Sequence, residues 1–448
     1  MIRRAEQGLA AGRRCRQQAG QALAFLLMVM AALLGGLLFV FDSGQVVAAK
    51  VRLLGAADAA AYSAAVWQAR SLNFQSYMNR AMVANEIAIA QLVSLQSWSA
   101  YMGQVLQKTA TVGSVVPTLA APLQAMARGW NTVDQGLQRA LPLLEAAASR
   151  WNADVLANAE RVAAAQTVIA ADDLAQRVAV SNVPAAQTGE GTRALRALNA
   201  LRWAKQSTSY GRRGDERARL KQVVMDSRDG FSRARGWNLG IPLLALRKRG
   251  GTDLIGYDGW RAMDTLSLRV PALFGSPEQP LAWGANENRR AALASRGEHG
   301  GSYRDNPRTA SRAVRDLRST RGYSGLPAFR DLSTAALRAN SELRYELELR
   351  QLGATIQTSS VALAGPATVV PGEQEKPFVP AYANDYAYAL SAARVFFSRP
   401  EGRADGAREL PSLFNPYWQA RLAPITRQQR LVAAAAGRGD VDPYTVLP

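Results

Sequence analysis

The spacing of apolar positions takes three forms along this chain. From Gln21 to Phe41 they form an unbroken run, QALAFLLMVMAALLGGLLFVF, 21 residues without a charge. As a helix, that run covers a hydrocarbon layer of ~30 Å. From Ala48 to about Tyr101 the apolar groups recur at steps of three and four, in a stretch rich in Ala, Leu, Gln and Met and free of Pro. This predicts one long helix, or two nearly collinear ones, leaving the apolar run. Trp67, Phe74, Tyr77, Met78 and Met82 are expected to form its packed face.

A second helical block spans about Leu119 to Val180. In it Leu137, Leu141, Leu144, Ala148, Trp151 and Val155 alternate steps of four and three. Such a heptad seam is expected to pack on the first helix as an antiparallel hairpin. A third helical piece runs from Thr192 to about Asp229, with Leu195, Leu198, Leu201 and Trp203 giving it one buried side.

Beyond about Trp237 the period falls to two. LIGYDGWRAMDTLSLRV reads as short strands around a turn at Asp258-Gly259. In Ser341–Arg350, Leu343, Tyr345, Leu347 and Leu349 face one way and charged residues the other, the pattern of a half-buried antiparallel strand. Residues 284–325 are rich in Gly, Arg, Ser and Asn and are expected to be a long, flexible insertion. Residues 365–380 hold four Pro and read as a loop, Tyr382–Phe397 as a helix or strand, and the AAAAGRGDVDPYTVLP end as an exposed tail. The fold class expected is α+β: a cytoplasmic leader at 1–20, a transmembrane helix at 21–41, a helical stalk or hairpin at 42–230, and a mixed head with an antiparallel sheet at 231–448.

Charge sharpens the topology. Residues 1–20 carry five Arg (Arg3, Arg4, Arg13, Arg14, Arg16) against Glu6, and a basic flank beside an apolar span is expected in the cytoplasm. Residues 193–330 carry 27 basic and 12 acidic groups, while 42–192 and 331–448 are each balanced. The middle segment is therefore expected to draw anionic partners, with Arg193, Arg196, Arg202, Lys205, Arg212 and Arg213 as the candidate binding set; nucleic acid is not expected. The only Cys, Cys15, lies in the leader, so the rest of the chain holds no disulfide.

Little in the chain points to chemistry. It has no GxxxxGK[ST] and no GxGxxG in a strand–helix setting. The single His, His299, sits in a Gly-rich polar stretch and reads as a solvated loop residue. Asp253, Asp258 and Asp264 do not follow the spacing of a calcium loop. No catalytic residue, cofactor or metal is therefore expected.

The run Ala19-Gly20-Gln21-Ala22-Leu23, the apolar span, and then Ala56-Ala57-Asp58-Ala59-Ala60-Ala61-Tyr62-Ser63 together resemble TadE/TadG-like proteins of the Flp (tight adherence) pilus system. The continuation WQARSLNFQSYMNRAMVANEIAIAQ and the LFNPYWQARL stretch at 413–422 resemble a TadG-related subgroup. The DxSxS motif of von Willebrand A domains, common in TadG-like chains, is absent. The resemblance implies a non-enzymatic, single-pass protein of the bacterial inner membrane, with its amino terminus cytoplasmic and its main domain periplasmic. It also implies contact with pilin, TadE-like proteins or a secretin, and self-association is left open.

TadE-like relatives resemble pseudopilins, which are cut after a Gly that is followed five residues later by Glu. Gly20 and Gln21 fit such a cut, but Phe25 stands where Glu is expected, and an uncleaved anchor is preferred. Ala31, Ala32, Gly35 and Gly36 are candidates for helix packing within the bilayer. Three alternatives stay open: a minor pseudopilin cleaved after Gly20, a periplasmic adhesin binding polyanions through 193–330, and an enzyme acting on envelope polymers.

Overall fold

The structure is a computed structural model and describes residues 3–211, 214–241, 244–269, 277–294, 297, 299–338, 341–358 and 386–437. Its axis is α1, Arg3–Gly113, an unbroken helix of 111 residues. It contains no proline, and at ~1.5 Å per residue it runs ~165 Å. The chain reverses into α2, Pro117–Arg150, whose first-turn proline gives up a backbone donor that a helix start leaves unused anyway. A π-helical turn, Trp151–Leu156, leads into α3, Ala157–Asn182. This arm lies antiparallel on α1, as the spacing predicts: Trp130 Nε1 donates to Ser99 O (3.0 Å), Asn152 Nδ2 to Met82 O (3.2 Å), and Thr167 Oγ1 to Ser71 Oγ (2.6 Å).

The buried faces of both helices differ in part from the expected ones: Met82 of α1 and Leu141 of α2 are buried as read, but other members of each set are not. Leu144 and Trp151 are 56% and 54% exposed, whereas Glu145, Ser149, Asn152 and Glu160 are buried. The face that α1 turns to this arm is itself polar, presenting Ser71, Glu86 and Gln96, and polar side chains pair with it. On α1, Trp67, Phe74 and Tyr77 are likewise exposed, while Ala56, Ala57, Ala60, Ala61, Ala64 and Ala65 are fully buried. α1 must touch α3 and a sheet at once, and only small side chains allow both approaches.

The chain then weaves two sheets against α1. In order come β1 (Ala186–Thr188), α4 (Glu190–Gln206), β2 (Ser207–Tyr210), α5 (Ala218–Asp226) and α6 (Gly230–Arg233). Next are β3 (Trp237–Ile241), β4 (Leu244–Ile255), β5 (Gly259–Arg269), β6 (Glu278–Arg289), α7 (Ser302–Asp305), α8 (Pro307–Arg315) and β7 (Arg318–Thr320). Last come β8 (Phe329–Leu332), α9 (Thr334–Arg338), β9 (Leu343–Leu352), β10 (Tyr386–Phe397), β11 (Trp418–Leu422) and α10 (Arg427–Gly437).

One sheet has the order β1-β9-β10-β11 and the other β3-β4-β5-β6-β7; β2 and β8 form a separate pair. All pairings are antiparallel except β6 with β7. Residues 186–210, expected in the helical region, thus supply strands to both the four-stranded sheet and the β2–β8 pair.

β9 confirms the alternation read in Ser341–Arg350, but its charged face is covered too. Asn199 of α4 bonds Glu346 through both backbone groups (2.7 and 3.2 Å), and Gln429 of α10 reaches its carboxylate. The sheet is therefore the middle of three layers, with α1 and α3 on one side and α4 and α10 on the other. α10 also takes up the beginning of the expected tail. The loop at 365–380 lies outside the described residues.

The described residues of 284–325 do not form a flexible insertion. They hold the second half of β6, then α7, α8 and β7. Their Gly and Asn serve close approach and buried hydrogen bonding. A Cβ at Gly284 would stand 2.0 Å from Ser97 O of α1, and Asn286 and Asn288 bond Gln96 (2.6 Å) and Glu145 (2.7 Å). Gly284→Ala is expected to push β6 off α1 at a cost of about 2 kcal/mol, read as a lower midpoint in urea unfolding. An unchanged midpoint would contradict this packing.

Candidate functional site

Two surfaces and one buried seam concentrate the unusual chemistry. The first surface is the apolar stretch of α1. From Ala22 to Phe41 no side chain is buried; Phe39 is 74% exposed. A helix this long and apolar can cross a membrane. Ala31, Ala32, Gly35 and Gly36 lie on it at i,i+4 spacing, and a Cβ at either glycine would meet nothing within 4 Å. That face touches no other part of the described chain and suits close helix contact in lipid. Gly20 and Gln21 continue the same helix.

The second surface is the exposed side of α1 beyond the span. Tyr62, Trp67, Phe74 and Tyr77 stand 40–57% exposed along it. At Tyr77 the stripe opens into a groove of about 750 Å³, shared with Ile87, Val223, Phe414 and Tyr417. Arg399 lies over the Tyr417 ring at 5.4 Å and pairs with Glu409 at 2.9 Å. LFNPYWQARL thus frames the far wall of this groove and then becomes β11.

The buried seam runs where α1 meets α2, α3 and the five-stranded sheet. Glu86 accepts from Trp260 Nε1 (2.9 Å), Tyr323 OH (2.8 Å) and Asn152 Nδ2 (3.1 Å). Glu145 accepts from Asn288 (2.7 Å) and Gln96. Glu160 takes the backbone N–H of Arg330 at 3.0 Å. Burial, which disfavours the charged form, pushes Glu86 up to about 6, Glu145 to about 7 and Glu160 to about 8, against the pull of these donors. Asp264 is the opposite case. Arg235 (2.9 Å) and Lys248 (2.5 Å) hold its carboxyl below the usual range although it is fully buried.

The other candidates are placed as follows. Asp253 pairs with Arg228 (2.8 Å), Asp258 with Arg290 (2.5 Å) and Asp264 with Arg235, so each aspartate has its own arginine. No cluster able to hold a metal occurs among the described residues. His299 is not a solvated loop residue. It is fully buried beside Tyr303, 3.5 Å from Asp253 Oδ2, and burial pushes it down to about 3, so it is neutral at physiological pH.

The described members of the basic set do not converge. Arg196 reaches Asp172 on α3 at 3.8 Å, Arg202 pairs with Glu346 at 3.0 Å, and Arg193 and Lys205 sit at opposite ends of α4. Arg212 and Arg213 lie outside the described residues. The buried seam and the exposed stripe were both missed in the sequence.

Residues 20–69 match the family model described as putative Flp pilus-assembly TadE/G-like. This segment is TadE/G-like. No curated protein and no solved structure matches the chain. The TadE/G-like segment covers the apolar span and the alanine seam of α1, and stops before both sheets. Within it the AADAAA run has a clear packing role. Its alanines admit β10 and α3, and Asp58 Oδ1 accepts from Ser391 Oγ of β10 at 2.6 Å. The match associates the chain with Flp pilus assembly.

Proposed function

We propose that this protein is a non-enzymatic, single-pass component of the Flp pilus-assembly or secretion apparatus. It is held in the inner membrane by residues 21–41, with the leader cytoplasmic and the head periplasmic. The observation that carries this reading is continuity. The TadE/G-like segment, the apolar span and the core of the head are one helix, so whatever grips the span is mechanically joined to the head. A non-enzymatic role is supported by the seam glutamates Glu86, Glu145 and Glu160, whose oxygens are engaged by protein donors as structural groups are. The partners expected are pilin, TadE-like proteins or a secretin, meeting the exposed stripe of α1.

The test is in vivo photo-crosslinking from position 77, with mass spectrometry of the captured proteins and of this chain's own amino terminus. Capture of pilus-apparatus proteins with residues 1–20 attached is the expected result. Capture of pilin by a chain beginning at Gln21 would make it a pilus subunit instead. That second reading draws on the match beginning at Gly20. Capture of no apparatus protein would overturn both.

A further inference from the structure

The head does not hang freely below its anchor. Three contacts fix the direction of β10 along α1: Lys50 Nζ donates to Tyr388 O, Asp58 bonds Ser391, and Asn73 bonds the backbone of Trp418, which is paired with Phe397. β10 therefore starts at the membrane end of α1 and runs away from it. Lys50 lies nine residues beyond Phe41, or ~13 Å along the helix. Tyr386 lies two residues before Tyr388, or ~7 Å nearer the bilayer. The headgroup layer extends roughly 5–8 Å beyond the hydrocarbon, so Tyr386 falls at its edge and Lys50 within side-chain reach.

The groups at this end suit that position. Tyr386 and Tyr388 pack ring to ring at 6.1 Å, and the Arg350 guanidinium lies 4.5 Å from the Tyr386 ring centre. Lys50 and Arg52 are exposed on α1, and so are Val47 and Val51, 62% and 63% accessible. Aromatic rings and snorkelling cations above apolar side chains are what a membrane–water interface selects. Asp42 is the one acidic residue of α1 between the span and Asp58. We infer that the membrane-proximal end of the head, formed by Lys50, Arg52, Arg350, Tyr386 and Tyr388, is a docking surface for anionic lipid headgroups. It seats the head against the bilayer. The inference rests on the anchored reading above.

The experiment uses the full chain in nanodiscs of phosphatidylcholine alone or with phosphatidylglycerol added, followed by amide hydrogen exchange. Peptides covering 42–54 and 386–392 are expected to exchange several-fold more slowly in the anionic discs. Arg52→Glu removes a side chain that, among the described residues, bonds only its own helix at Ala48 O; it should lose much of that difference, and Lys50→Glu with Arg52→Glu should abolish it. Arg304→Glu, on α7 beside β4 and β5 of the other sheet, should leave it intact. Equal exchange of the parent in both discs, or a difference that survives both reversals, overturns the lipid surface while leaving the anchor standing. A chain that fails to enter discs of either kind overturns the anchor, and this inference with it.

Discussion

Asp264→Ala is expected to cost about 3–5 kcal/mol, the range for removing one partner of a buried ion pair. Asp264 is fully buried. Arg235 grips both its oxygens at 2.9 Å, Lys248 reaches Oδ1 at 2.5 Å, and Ser97 of α1 donates to Oδ2 at 2.8 Å. Both cations are themselves nearly inaccessible, with side chains 6% and 4% exposed. Without the carboxylate they face each other in a dry interior, where an unpaired charge is held at high cost. The loss is felt at the α1 contact as well, because Ser97 also donates to Gly284 O. Asp264→Asn should fall between the two, keeping hydrogen bonds but not charge. Replacing all three ionic groups with apolar ones of similar size should recover much of the loss. Urea unfolding of the full chain in detergent checks the series. An alanine variant within about 1 kcal/mol of the parent would show that the cluster is not what holds β4, β5 and α6 together.

What the sequence disclosed and what it hid separate along a physical line. The span, the long helix after it and the alternation of β9 were legible, since each depends on period alone. The seam between α1 and the α2–α3 arm was not. Glu145 is buried because Asn288 and Gln96 lie beside it, 143 and 49 residues away, and no local pattern announces such partners. The leucines that looked like a heptad seam were the more hydrophobic choice, yet Leu144 faces out. The glycines of 284–325 misled in the same way. Gly284 is there so that β6 can touch the backbone of α1, a role that composition cannot distinguish from flexibility. The basic segment looked like a binding face, but much of its charge answers acidic groups within the fold: Arg202 meets Glu346, Arg235 meets Asp264, and Arg261 meets Glu287 at 2.8 Å. The exposed face of α1 shows the reverse case. Trp67, Phe74 and Tyr77 read as core, and the alanines that precede them on the helix, such as Ala57, Ala61 and Ala64, proved to be the core.

Stability is expected to rise by about 3 kcal/mol as pH falls from about 8 to about 6, the reverse of ordinary acid destabilisation. Glu160, Glu145 and Glu86 have folded values near 8, 7 and 6 against an ordinary 4.5. In that window the folded chain therefore holds protons that the unfolded chain has released. Stability must then fall as pH rises through these values, and the contribution is fully present only below the unfolded value. His299 works against this. Its folded value is near 3 against an ordinary 6.5, so the unfolded chain gains a proton that the folded chain refuses. That opposing share is about 1 kcal/mol over the same window, less than the glutamates supply. Asp264, Asp229 and Asp305, all held below 3.8, titrate at more acid pH and stay out of it. Thermal melts of the full chain in detergent across the window should show the higher midpoint at the acid end. Glu160→Gln imitates the protonated form, and should flatten the profile by its largest share while leaving the acid-end midpoint nearly unchanged. A profile that is flat or rises with pH in the parent would mean that the three glutamates stay ionised in the folded seam, their donors outweighing burial.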